Sequence, residues 1–282
     1  MLWKGREQSQ NVEDRRGRGG AKMAVGGGAG VLVVVALVWL LGGNPSEVLN
    51  SLQTTGGGGA PDPAVAQAEA ELSQFASVVL KDTEDIWHAL FRQNGKAYRE
   101  PKLVLFTGSV DSACGYAGSA TGPFYCPGDD RVYIDLSFLA ALQKRLGAVG
   151  DFAMAYIIAH EVGHHVQNQL GISEQLQSQR GRISEAEYNR QLVQLELQAD
   201  FLAGIWAHYA QKTKGILEEG DVEEAVNAAG AVGDDRIQMK SQGYVVPDSF
   251  THGTSDQRKS SFLKGFKTGD PTLGGLNLRA RP

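Results

Sequence analysis

Cysteine is nearly absent from the 282 residues: Cys114 and Cys126 are the only two. That pair alone cannot supply the ligands of a zinc site. Basic charge is also scarce once the chain is divided. Residues 1–23 hold six Lys/Arg against three acids, a net +3, and everything after them carries −8. A body that acidic lacks the basic footprint of a nucleic-acid-binding protein, so nucleic acid is excluded as a partner. Charge is missing altogether from Ala24 to Gly43, and no internal repeat is found. Against these absences stands a globular composition, 42% hydrophobic and 21% charged, over a length that suits one large domain or two ordinary ones.

The uncharged stretch 24–43 has 20 residues, about the number a helix needs to cross a bilayer. Its apolar centre is Val31–Leu41. A cleaved secretory signal is the rival reading, but Gly42-Gly43-Asn44-Pro45 offers no small-x-small cleavage site. The expectation is therefore an uncleaved transmembrane signal anchor. Residues 1–23 would be a basic cytoplasmic segment before it, on the positive-inside rule. Residues 44–63, rich in Gly, Pro, Ser and Thr, would be a flexible linker. This places residues 64–282 outside the cytoplasm, on a single-pass membrane protein. An oxidising compartment suits a disulfide between Cys114 and Cys126, with two free thiols as the alternative.

Within the body, apolar spacing predicts a helix over Ala64–Asn94, stopped by Gly95. Strands are expected at Lys102–Phe106 and Arg131–Asp135. Helical spacing returns at Ser137–Leu146 and is strong over Asp151–Leu170. Ser184 with Glu187 reads as a capping box opening a helix to about His208. Shorter helices are expected at Asp221–Ala231 and Ser255–Phe266. Early strands and late helices predict an α+β fold, mainly helical with a small sheet.

His160-Glu161-Val162-Gly163-His164 is the decisive stretch. Residues four apart share one face of a helix, so two imidazoles can bind one metal. Zinc suits imidazole and carboxylate ligands. Glu161 lies about 100° around the helix from His160. There it can reach a water on the metal as a general base without being a ligand. The helix around it is apolar nearly all round, and two histidines and a glutamate buried there need a partner. A catalytic zinc usually takes three protein ligands, and Glu196 is the candidate for the third. Asp200, four residues on, faces the same way and can hydrogen-bond the other nitrogen of a liganding His, with His160 the expected partner. His165 turns off the metal face and reads as structural, as do His88 and His208. His252, in a Gly/Ser/Thr-rich loop, is a candidate donor to the oxyanion formed when a peptide carbonyl is attacked. A strand such as Arg131–Asp135 would hold an extended peptide by edge pairing.

These residues resemble a known group. Trp3-Lys4-Gly5-Arg6, Asn11-Val12-Glu13-Asp14-Arg15-Arg16, Gly122-Pro123-Phe124-Tyr125-Cys126-Pro127 and Val132-Tyr133-Ile134-Asp135 are similar to segments of the bacterial, YpfJ-like neutral zinc metallopeptidases. So are Ala159–Gln167, Glu196-Leu197-Gln198-Ala199-Asp200, Gly233-Asp234-Asp235-Arg236 and Val246–Thr254. The resemblance implies a zincin-like metallopeptidase domain behind one membrane segment, with one Zn2+ per chain and a protein or peptide substrate. His-Glu-x-x-His followed by Glu-x-x-x-Asp is similar to the gluzincin arrangement, which implies Glu196 as ligand and Asp200 behind a ligand. Phe201 stands where some relatives carry Cys, leaving Cys114 and Cys126 as the one intrachain pair. Two further readings stay open: a non-catalytic zinc-stabilised binding module, and a zinc hydrolase of non-peptide cell-envelope material. The basic Asn11–Arg16 motif reads as a topology signal, with contact to a cytoplasmic partner as its second reading.

Overall fold

A computed structural model describes residues 1–16, 63–118, 121–138 and 150–276. The expected anchor 24–43, all but Pro63 of the expected linker, and most of the helix expected at Ser137–Leu146 lie outside them. Among the described residues no helix is long and apolar enough to cross a membrane.

The first long helix, α1 (Pro63–Gln93), buries the stripe Leu72, Phe75, Ala76, Val79, Ile86, Leu90. Its spacing is the three-to-four-residue repeat that the sequence shows. Behind it, β1 (Val12–Asp14), β2 (Lys102–Phe106), β5 (Phe124–Cys126) and β6 (Arg131–Asp135) form one sheet in the order β1-β2-β6-β5. The pairs β1–β2 and β2–β6 are parallel, and β5 runs antiparallel to β6. A two-stranded hairpin, β3 (Ser109–Ser112) and β4 (Gly115–Gly118), stands beside the sheet. Both expected strands are present. Arg131–Asp135, however, is an interior strand paired on both sides. The described edge nearest the later helices is β5, which was not foreseen because Gly122-Pro123 and Pro127 flank only three residues.

Five helices of the second half follow: α2 (Asp151–Gln169), α3 (Ile172–Gln177), α4 (Glu185–Lys214), α5 (Asp221–Ala231) and α6 (Asp234–Gln242). A last helix, α7 (Ser255–Thr268), packs along α4. Ser184 caps α4 by accepting the Glu187 N–H at 3.2 Å. The helix runs past His208 to Lys214, where Gly215 in the left-handed conformation ends it. Thr254 and Gln257 form a full capping box on α7.

Residues 1–16 differ most from expectation. Charge sets them apart in the sequence, yet they are packed into the domain. Met1 and Trp3 belong to the main core, and Trp3 sets its ring edge-on to Phe75 at 5.4 Å. β1 pairs Val12 with Leu103 and Asp14 with Leu105. The basic residues are engaged rather than free: Arg6 binds the buried Asp82, and Arg16 bridges Asp14 and Glu69.

The α4–α7 contact is made by two glycines. A Cβ on Gly204 would lie 2.1 Å from the Phe262 carbonyl oxygen, and one on Gly265 2.1 Å from that of Phe201. Both obstacles are backbone, so the helices must separate to admit a methyl. Gly204→Ala is expected to cost about 3 kcal/mol, the upper range of overpacking. In a domain of this size that lowers the melting temperature by roughly 6–12 °C. A thermal melt unchanged within 2 °C would show that the two helices do not meet this closely.

Candidate metal centre

α2 and α4 cross where the two sequence motifs lie. Their close approach depends on Gly163, whose added Cβ would sit 3.1 Å from the Ala199 carbonyl oxygen and 3.2 Å from its Cα. The middle glycine of the motif thus lets α4 bring Glu196 over the histidine pair. His160 Nε2 lies 3.3 Å from one Glu196 oxygen, and His164 Nε2 lies 3.4 Å from the other. One ligand atom from each of the three residues falls within 4.8 Å of the others. Donors bound tetrahedrally at about 2.1 Å stand roughly 3.4 Å apart, so this spacing suits one zinc ion.

The far nitrogens of both histidines are held. Asp200 Oδ1 accepts the His160 Nδ1–H at 2.9 Å. Gln167 Oε1 accepts the His164 Nδ1–H at 2.9 Å. Each bond keeps the proton on Nδ1, so that Nε2 is the nitrogen turned toward Glu196 and the one that a metal would take in exchange for its proton. Asp200 was anticipated. Gln167 was not, although its place three residues after His164 puts it on the same helix face. Its amide donates to the Leu195 carbonyl and to Gln198, which ties the second histidine to α4 as well.

Asp200 is fully buried and accepts far more than one bond. Arg258 on α7 grips it bidentately, Nε to Oδ2 at 2.8 Å and Nη2 to Oδ1 at 2.9 Å. Tyr156, one turn before His160, donates its hydroxyl to the same Oδ1. Arg258 is itself only 3% exposed. It escaped the sequence reading, yet a signal existed. Ser255, Arg258, Phe262 and Gly265 form the buried stripe of α7, and an arginine on such a stripe requires a carboxylate.

The charges follow from this burial. Desolvation works against every ion here, and the outcome depends on what faces each one. For His160 burial lowers the pKa, but the Asp200 and Glu196 carboxylates outweigh it and hold the metal-free imidazole at about 10. For Glu196 the two imidazoles overcome burial and keep the carboxyl well below its usual range. Glu161 goes the other way. Burial raises its pKa, and the neighbouring imidazoles and the Tyr125 main-chain N–H only partly offset that. It is 8% exposed and stands outside the ligand set, as its position on the helix requires.

His252 sits in the loop before α7 with half its side chain exposed. Its loop is organised by Asp234, whose Oδ2 accepts the main-chain N–H groups of Thr251, His252 and Gly253 at 2.8, 2.6 and 2.9 Å. Asp234 Oδ1 lies 3.4 Å from His252 Nδ1. This carboxylate raises the imidazole pKa, and the charge of Glu196 adds to it across the site. The Gly233-Asp234-Asp235-Arg236 segment, to which the sequence assigned no role, therefore shapes the His252 loop. Asp235 holds the start of α7 through Ser255.

The remaining histidines stand apart from the ligand set. His165 is buried between the Arg99 carbonyl and the Tyr125 hydroxyl, and burial lowers its pKa. His208 meets the Phe266 carbonyl, and His88 meets Glu100. Cys114 and Cys126 are joined in a disulfide that ties the β3–β4 turn to β5. A second acidic group, Asp151, Asp221 and Glu224, lies away from the histidines, and the Met1 ammonium packs against its two aspartates.

A family model described as "Putative neutral zinc metallopeptidase" matches residues 1–274. The chain is 47% identical over 285 residues to "Uncharacterized protein YpfJ" of Escherichia coli (strain K12), covering 96% of each. It is 39% identical over 222 residues to "Uncharacterized protein Rv2575" of Mycobacterium tuberculosis (strain ATCC 25618 / H37Rv), covering 75% of this chain and 74% of that one. No solved structure matches it. The matched span takes in the sheet, the His160–His164 helix and the helix of Glu196 and Asp200, and the chain belongs to the putative neutral zinc metallopeptidase family.

Proposed function

We propose that the chain hydrolyses peptide bonds with a zinc ion held by His160, His164 and Glu196. The observation that carries this reading is Glu161: a buried carboxyl beside the ligand set, outside it, with its pKa raised. A purely structural metal site has no use for an unliganded carboxyl in that place. Zinc, when bound, supplies a Lewis acid that activates a water and polarises the substrate carbonyl. Glu161 takes a proton from the attacking water as the C–O bond forms, then gives it to the amine as the C–N bond breaks. A raised pKa suits both transfers near neutral pH. His252, whose pKa Asp234 raises, would serve as a donor to the developing oxyanion. An extended substrate would lie along the β5 edge rather than along Arg131–Asp135, which is paired on both sides. We place the activity outside the cytoplasm, a reading supported by the Cys114–Cys126 disulfide.

Four variants test this. Glu161→Gln should lower kcat on a peptide substrate about 10²–10⁴-fold, with zinc content unchanged. Full activity in that variant would remove the proposed mechanism. Arg258→Met should weaken zinc binding by about 10–100-fold, the usual effect of disturbing a group behind a ligand. It should also cost about 3–5 kcal/mol of stability through the orphaned Asp200. Competition with a chelator and a denaturant melt measure the two. His252→Ala should cost about 10²–10³ in kcat. In Asp234→Asn, the alkaline limb of kcat/KM should move to lower pH. The sign follows because the needed form is the imidazolium, lost as pH rises through a pKa that Asp234 no longer raises. A limb that stays in place would mean that His252 does not act in its charged form.

A further inference from the structure

Residues 1–16 enter the domain through four kinds of contact. Main-chain bonds join Leu2 N–H to the Ile216 carbonyl, Ser9 N–H to that of Ser77, Leu103 N–H to that of Asn11, and Arg15 N–H to that of Leu105. Met1 and Trp3 fill the core. Arg6 donates to Asp82 at 2.6 Å, an acid 2% exposed inside α1 that Lys214 also meets. Ser9 and Asn11 donate to Glu84, 3% exposed, at 2.5 and 2.9 Å. Take the segment away and Glu84 keeps neither of these donors, Asp82 loses one of two cations, and β2 loses one of its two parallel neighbours. A buried acid without its donor costs several kcal/mol. The family match also starts at residue 1 and runs unbroken to 274.

The head meets the first turns of α1 at two points. Arg16 Nη1 lies 3.4 Å from Glu69, and Lys4 Nζ lies 2.8 Å from Glu71, both in the first turns of α1. Between Arg16 and Pro63 there is one uncharged stretch, 24–43, long enough for a single crossing. A return crossing would need about as many residues again. The remainder, 44–62, contains Glu47, Asp62, two prolines and a run of glycines. One crossing places the two halves of the sheet on opposite sides of a bilayer, and two crossings exceed the apolar length.

We infer that residues 1–16 share the compartment of the metal-binding domain as a built-in part of it, so that the uncharged stretch does not carry the folded chain across a bilayer. Any lipid contact by that stretch is then made from the domain's own side. The positive head, read by charge as a cytoplasmic marker, acts instead as a set of donors for buried acids. Loss of the head would strip Glu84 of both of these donors.

Both native cysteines are in the disulfide, so an introduced cysteine is a unique probe. The full-length protein would be expressed with Lys4→Cys or with Asp256→Cys, two exposed positions, wild type setting the background. A membrane-impermeant maleimide is added to intact and to permeabilised spheroplasts. The expected result is the same accessibility for both probes: both labelled in intact spheroplasts, or both only after permeabilisation. One probe labelled in intact spheroplasts and the other only after permeabilisation overturns the inference. A double variant, Lys4→Cys with Glu71→Cys, should join head to α1 through a short bismaleimide. The joined species should retain the intact mass of residues 1–282. Failure to cross-link, or recovery of a chain lacking the head, also overturns it.

Discussion

The Asp200 carboxylate is fully buried, and its charge is tolerable only because three helices meet on it. α2 supplies Tyr156 and His160, α4 carries the aspartate, and α7 supplies Arg258. A lone carboxylate at that depth would neutralise or unfold its surroundings. Here a bidentate guanidinium balances it, and the imidazole and the phenol use its remaining lone pairs. The consequence for the site is directional. Asp200 stays ionised, so His160 must present Nδ1–H to it and Nε2 to the metal position. The helix–helix glycines serve the same end, since α7 can bring Arg258 to Asp200 only while Gly204 and Gly265 allow backbone contact.

The two histidines are thus braced differently. His160 leans on an ion, whereas His164 leans on the neutral amide of Gln167. An anionic partner makes an imidazole a stronger donor to a metal than an amide does. It also binds a proton more tightly before the metal arrives, which is why the metal-free His160 is held at about 10. Metal binding must therefore displace a proton, and zinc uptake is coupled to pH. Glu161 escapes this coupling because no carboxylate-bearing partner holds it. Burial sets its direction, the charge of Glu196 adds to it, and the imidazoles and the Tyr125 main chain moderate it.

Much of this site was legible because helical spacing converts directly into geometry. Residues at i and i+4 gave the histidine pair, and the same rule joined Glu196 to Asp200. What was not legible depends on contacts between segments far apart in the chain. Arg258 is 58 residues beyond Asp200, and nothing local says which acid it meets. Asp234 reaches forward 18 residues to the His252 loop. The hairpin β3–β4 and the strand β5 are short and broken by Gly, Pro and Ser, so alternation has no room to appear. The packing of the head stayed hidden for a different reason. Net charge is a sum over side chains, and it does not reveal that Arg6, Arg15 and Arg16 are each paired with an acid of the folded domain or of their own strand.

That packing bears on how the site is built. β1 lies at one end of the sheet and β5 at the other, with β2 and β6 between them. The Tyr125 main chain on β5 lies near enough to Glu161 to lower its pKa, and the Tyr125 hydroxyl meets His165 and Asn168 of α2. The surroundings of Glu161 are therefore set partly by the sheet. The sheet is in turn completed by three residues from the extreme start of the chain, through registers that pair Val12 with Leu103 and Leu103 with Val132. A parallel pair such as β1–β2 forms only after its connection has been traversed, here one that includes α1. The strand beside Glu161 pairs locally with β6, whereas the opposite edge of the sheet is completed only by closing a long-range contact with the head. Whatever holds residues 17–62 must leave that contact free to form.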